Sequence, residues 1–112
     1  MLLPSKELLS DVLGRDVDKV KGIEANTLIY VCVHSDGWYD EINIYEFAHK
    51  CKEWAKLKYF IDIDSHSGCA RWGAEAVSHN GRPSVFYEQV FIGRTETDAI
   101  FKACEWIMEN TK

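Results

Sequence analysis

The sequence predicts one α+β domain over residues 1–112, in the order α-β-β-α-β-β-β-α, with a mainly antiparallel sheet carrying its helices on one face. Three observations lead there. Phe47, Ala48, Cys51, Trp54 and Ala55 recur at three- and four-residue steps, as do Ala99, Ile100, Ala103, Cys104, Ile107 and Met108, so each set is one face of an amphipathic helix. Between the two helices lie three runs rich in β-branched, aromatic and small residues, separated by turn-forming residues. The length suits one ordinary domain rather than two, and no internal repeat or low-complexity linker divides the chain.

Taken in order, Ser5 stands where it would cap a helix from Lys6 to Leu13, with Leu8, Leu9, Val12 and Leu13 on one side and Gly14 ending it. Residues 17–24 read as a strand interrupted by Gly22. Residues 27–34, containing Leu28-Ile29-Tyr30-Val31-Cys32-Val33, read as a second, and Ala25-Asn26 is the tight connection of the hairpin. Ser35-Asp36-Gly37-Trp38-Tyr39-Asp40-Glu41 is a turn by composition, because Asp-Gly supplies a positive-φ position and the acids resist unpaired burial. The next helix runs from Ile44 to about Lys58, its polar face formed by Glu46, Lys50, Lys52, Glu53 and Lys56.

In residues 59–64 the alternation separates Tyr59, Ile61 and Ile63 from Phe60, Asp62 and Asp64, and Ser65 to Gly68 reads as a turn. Residues 69–78 place Ala70, Trp72, Ala74 and Ala76 opposite Arg71 and Glu75, until His79-Asn80-Gly81 provides hairpin chemistry. Residues 84–92 return, with Phe86, Val90 and Ile92 competing against Val85, Tyr87 and Phe91 for the core face. Burial of that strand on both sides, by helices and by a second subunit, would satisfy both sets. Thr95 is an N-cap with Asp98 three residues on, opening the last helix.

The formal net charge of −5 opposes affinity for a phosphate backbone. Met1-Leu2-Leu3-Pro4 is followed at once by Ser5, Lys6 and Glu7, so no apolar stretch of the length of a signal peptide or membrane span is present, and a cytoplasmic location is expected. Cys32, Cys51, Cys69 and Cys104 form no C-x-x-C pair and are expected to be buried reduced thiols. Asp62, Asp64 and His66 alternate and would point the same way from a strand, the arrangement of a divalent cation site completed by a neighbour. The pattern departs from a calcium loop, since no Glu closes it and Gly68 falls one place late, so a solvated strand face is expected. Cys69 follows His66 by three residues, but no flanking thiol-enzyme signature accompanies the pair. Nucleotide-binding, hydrolase and zincin motifs are also missing. No catalytic residue, metal or cofactor is therefore assigned, and the chain is not read as an enzyme. A small enzyme or metal-binding protein using His66 and Cys69 ranks third among the functional readings.

The feature that points to a partner is the group Asp36, Trp38, Tyr39, Asp40 and Glu41, an aromatic centre with an acidic rim suited to a basic protein surface or to mimicry of nucleic-acid charge. The competing reading folds Trp38 back onto the sheet edge as ordinary packing. A homodimer is a further expectation, since a small sheet leaves edges to cover.

Two resemblances extend this reading. The order helix, three strands, helix from Ile44 onward, with the polar segment Ser65-His66-Ser67-Gly68, resembles the double-stranded RNA-binding domain. That resemblance implies phosphate contacts from a lysine-rich start of the last helix, but here the matching stretch is Arg94-Thr95-Glu96-Thr97-Asp98-Ala99, with acids where lysines are required. The segments Leu3-Pro4-Ser5-Lys6-Glu7-Leu8-Leu9, Asn43-Ile44-Tyr45-Glu46-Phe47-Ala48-His49-Lys50-Cys51-Lys52-Glu53-Trp54-Ala55 and Ala99-Ile100-Phe101-Lys102-Ala103-Cys104-Glu105-Trp106-Ile107 resemble small phage- and prophage-encoded proteins of unassigned function. This second resemblance implies a mobile-element accessory role. The expected function is protein–protein binding to a host or phage protein, with inhibition of a host or defence factor as its form. A nucleic-acid-binding module of double-stranded-RNA-domain-like topology is the alternative.

Overall fold

Helix α1 (Lys6–Leu13) begins where the sequence places its cap: Ser5 Oγ accepts the Leu8 N–H at 3.1 Å, and Gly14, at φ +66°, ends it in the left-handed conformation. The computed structural model describes residues 3–68, 71–78 and 89–110. After α1, strands β1 (Val17–Glu24) and β2 (Thr27–Cys32) form an antiparallel hairpin whose two-residue turn sets Ala25 and Asn26 at φ +47° and +64°. Two register shifts in β1, between Val17 and Lys19 and between Val20 and Gly22, mark bulges.

Tyr39–Asn43 is a strand, β3, paired antiparallel with β2 from Val31↔Tyr39 to Thr27↔Asn43, where composition indicated a turn through Glu41. Two acids and one aliphatic residue conceal the strand in the sequence, because its polar side chains never leave solvent fully and only Ile42 needs a core. Helix α2 (Ile44–Tyr59) follows without a loop, and Asn43 Oδ1 accepts the N–H groups of Tyr45 and Glu46. It ends at Phe60, a non-glycine residue at φ +57° whose N–H reaches back to the Ala55 and Lys56 carbonyls.

Strands β4 (Ile61–Gly68), β5 (Arg71–Ser78) and β6 (Gln89–Gly93) form a second antiparallel meander, and α3 (Glu96–Asn110) closes the fold after Thr95 Oγ1 accepts the Asp98 N–H at 3.1 Å. Ser65 to Gly68, expected as a turn, instead continues β4 opposite Ala74, Gly73, Trp72 and Arg71. The order is therefore α-β-β-β-α-β-β-β-α, in the α+β class, with two three-stranded antiparallel sheets in place of one. Each sheet is bracketed by helices and α2 is shared, a repetition of topology that the sequence does not display.

The core lies where α2 and α3 meet over the second sheet. Phe47 and Phe101 face each other with ring centroids 5.5 Å apart, above buried Ile61, Ile63, Ala74 and Ala76. Leu28 and Tyr30 of β2, with Leu8 and Leu9 of α1, complete the same cluster. Cys51 and Cys104 are buried in it, and burial, then the hydrogen bond with the Cys104 thiol, pushes the Cys51 thiol well above its usual range, which keeps it protonated. In β6 the core face belongs to Phe91, which packs on Trp106 at 5.7 Å, while Val90 and Ile92 stand 55% and 51% exposed. Val85, Phe86, Tyr87, the turn His79-Asn80-Gly81 and Cys69 lie outside the described residues. No described helix is long and apolar enough to cross a membrane.

Candidate functional site

The turn between β2 and β3 is pinned by its own backbone. Asp36 and Gly37 take positive φ, Trp38 N–H donates to the Ser35 carbonyl at 3.1 Å, and Ser35 N–H donates to the Cys32 carbonyl at 3.3 Å. Ser35 Oγ lies 2.8 Å from the Cys32 carbonyl oxygen and 3.1 Å from that of Trp38, so the hydroxyl bridges the two ends of the turn. On this scaffold Trp38 is 77% exposed and Tyr39 57% exposed. Trp38 therefore does not fold back onto the sheet edge.

Alternation along β3 divides the five predicted residues. Tyr39 and Glu41 share the outer face of the first sheet, and Asp36 and Trp38 sit in the turn. Asp40 points the other way. It lies directly across from Tyr30, accepts from Arg15 Nη1 at 3.4 Å and from the Cys32 thiol at 3.7 Å, and is tied into the scaffold. Burial, and then the Asp40 charge, raises the Tyr30 phenol above its ordinary pKa, so the phenol stays protonated beside the carboxylate. The acidic rim on the outer side is thus Asp36 and Glu41, while Asp40, on the other face, remains 43% exposed beside Arg15.

The outer face contains residues that the sequence reading did not attach to this site. Lys21 Nζ lies 5.4 Å from the Tyr39 ring centroid, a cation–π distance. With Gly22, Glu24, Ile29, Tyr39 and Glu41, it lines a hollow of about 340 Å³. Only the strand register lets Lys21 of β1 reach across β2 to Tyr39, and nothing local in the sequence signals it.

Elsewhere, Asp62, Asp64 and His66 do share the outer face of β4, as their alternation predicts. The His66 imidazole lies against Gly73, close enough that a Cβ there would stand 2.9 Å from Nε2. Among the described residues no group of three His, Cys, Asp or Glu side chains gathers where it could hold a metal ion. Arg71, Arg94 and Lys102, distant in sequence, converge with Ile92 and Gly93 around a hollow of about 310 Å³ with no carboxylate among its described lining residues. A hollow of about 600 Å³ where α1, β1 and the ends of α2 and α3 meet is lined by Asp11, Asp16, Asp18, Lys6 and Lys58 among others. Its Asp11 is already engaged by Lys58 and Trp54.

No protein-family model matches the chain, and no curated protein or solved structure matches it significantly.

Proposed function

We propose that the protein acts by binding another protein through residues 35–41, as a small phage or prophage accessory factor that inhibits a host or defence component. The observation that carries this reading is the exposed Trp38 on a pinned turn. A large aromatic held in water by a preformed backbone loses little conformational freedom on docking, and Trp is the residue type most enriched at energetic centres of interfaces. Tyr39, Asp36 and Glu41 supply a second ring and an acidic rim beside it, complementary to a basic partner. The mobile-element context rests on the resemblance of segments 3–9, 43–55 and 99–107 to small phage- and prophage-encoded proteins.

The test is a pull-down from a bacterial lysate with the tagged chain and its Trp38→Ala variant, each with and without nuclease. A stoichiometric protein retained by the parent after nuclease and lost by a folded W38A supports the reading. Equal retention by W38A removes this turn from it.

One observation favours nucleic-acid binding as a second reading. The Arg71, Arg94 and Lys102 hollow concentrates positive charge on an acidic chain, the footprint a phosphate backbone requires. A salt-dependent gel shift with double-stranded RNA, abolished in an Arg71→Glu, Arg94→Glu variant, is the result that would put this reading first.

A further inference from the structure

The two edges of the first sheet are built differently. β1 carries two bulges and the exposed Lys19, devices that discourage another strand from pairing there. β3 has neither: its register against β2 is unbroken over all five pairs, and it contains no proline or lysine. The bonding pattern fixes which backbone groups it leaves open. Ile44 N–H donates to the Asn26 carbonyl at 2.9 Å. Stepping along the ladder by two, Leu28/Ile42 and Tyr30/Asp40 are then the hydrogen-bonded pairs, and the amides and carbonyls of Tyr39 and Glu41 face away from β2. Among the described residues no backbone group pairs with the Tyr39 or Glu41 amide.

We infer that β3 is a strand-addition edge, and that its occupant is an extended segment of another protein bearing lysine or arginine at alternate positions. The inference rests on the reading of residues 35–41 as a contact surface and specifies how that surface is used. Backbone pairing with Tyr39 and Glu41 supplies register, while a basic side chain on the outer face meets the Glu41 carboxylate. Trp38, at the end of the edge, covers the segment's apolar flank. Charge selects against a second copy of this chain as occupant, because two β3 edges running antiparallel would bring Asp36, Asp40 and Glu41 against the same acids.

The probe is a short capped peptide of alternating lysine and valine, with a glutamate–valine peptide as control, added to the full chain while amide hydrogen exchange is followed by NMR. At a lysine peptide concentration about ten times its Kd, exchange at Tyr39 and Glu41 should slow about tenfold, with Lys19 and Lys21 unchanged and the glutamate peptide inert. Glu41→Pro removes an amide that bonds no described residue and should abolish peptide binding, whereas Glu41→Thr, which keeps the amide, should only weaken it. Peptide binding without protection at Tyr39 and Glu41, no binding of the lysine peptide, or equal binding by E41P overturns strand addition. The pull-down with W38A still decides the broader reading, so the two fail separately. Protection that rises with protein concentration in the absence of peptide would assign the edge to self-association and also overturn the proposal.

Discussion

The Trp54 indole Nε1 donates to Asp11 Oδ2 at 2.7 Å, joining α1 to α2 across the rim of the core. Lys58 Nζ approaches the two Asp11 oxygens at 2.9 and 2.7 Å, but that lysine is half exposed. The indole contact should therefore carry more of the energy. Asp11→Ala should cost about 1–3 kcal/mol by stranding a partly buried donor, and Lys58→Ala less than about 1 kcal/mol, as for exposed ion pairs. Urea denaturation of the two variants measures the ranking, and the reverse order would mean that the ion pair holds the seam.

The same carboxylate makes stability depend on acid. Burial raises the Asp11 pKa, but hydrogen bonds from Lys58 and Trp54 and the Lys58 charge outweigh it, leaving the group below its ordinary value of 3.8. A carboxyl depressed on folding contributes fully above the unfolded-state value and loses that contribution as pH falls through the folded one. Thermal melts taken downward from neutral pH should show the parent losing stability below 3.8 more steeply than Asp11→Asn, which has no proton to bind. Parallel curves would remove Asp11 from the acid response.

Ala25 holds φ +47° at the first position of the hairpin turn, where an L-residue with a Cβ is strained and Asn or Gly is preferred. Ala25→Asn should raise stability by about 0.5–1 kcal/mol, equivalent to a few degrees in Tm. Ala25→Val should lower it, because β-branching worsens the same clash. Differential scanning calorimetry of both variants checks the sign, and a Tm gain for the valine would show that the turn relaxes away from positive φ.

These contacts show which parts of the fold could be read from the chain. Ser5, Gly14, Asn43 and Thr95 act locally, within a turn of the helix they bound, and periodic Phe47, Cys51, Ile100 and Cys104 place their own faces, so the helices were legible. The β1–β2 hairpin was legible for the same reason, since its two-residue turn closes adjacent runs. β3 was not, because Tyr39, Asp40 and Glu41 become a strand only through pairing with β2, and their composition matches a solvated turn. The extension of β4 through Ser65 to Gly68 likewise depends on β5 for its partners. For the candidate site, Trp38, Tyr39 and the acids were visible as residue types. The contact of Asp40 with Arg15, the approach of Lys21 to Tyr39 and the outward-facing amide of Glu41 follow from register alone.

Gly93 and Gly73 make a paired test of close packing. A Cβ at Gly93 would stand 2.7 Å from the Ala99 backbone nitrogen in the first turn of α3, so Gly93→Ala must displace a helix and should cost about 1–3 kcal/mol. At Gly73 the obstacle is the exposed His66 ring, 2.9 Å away at Nε2, which can swing into solvent. Gly73→Ala should therefore cost clearly less. Chemical denaturation gives both values, and a larger loss at Gly73 would mean that the His66 ring is fixed rather than free to move.

Glu105 ties the start of α1 to α3: its Oε1 accepts from the Ser5 amide at 3.0 Å and from Ser5 Oγ–H at 2.8 Å, while that same Oγ accepts the Leu8 N–H. The hydroxyl is then both a helix cap and a donor to a carboxylate one hundred residues away in sequence. Removing either partner should disturb the other, because a proton aimed at Glu105 leaves the Ser5 lone pairs free for the cap. Ser5→Ala and Glu105→Ala should each cost about 1–2 kcal/mol, and the double variant less than their sum, by at least about 0.5 kcal/mol of coupling. A double-mutant cycle in urea measures the difference. Strict additivity would show that the cap works without Glu105 and that α1 is held against α3 by Leu8 and Leu9 alone.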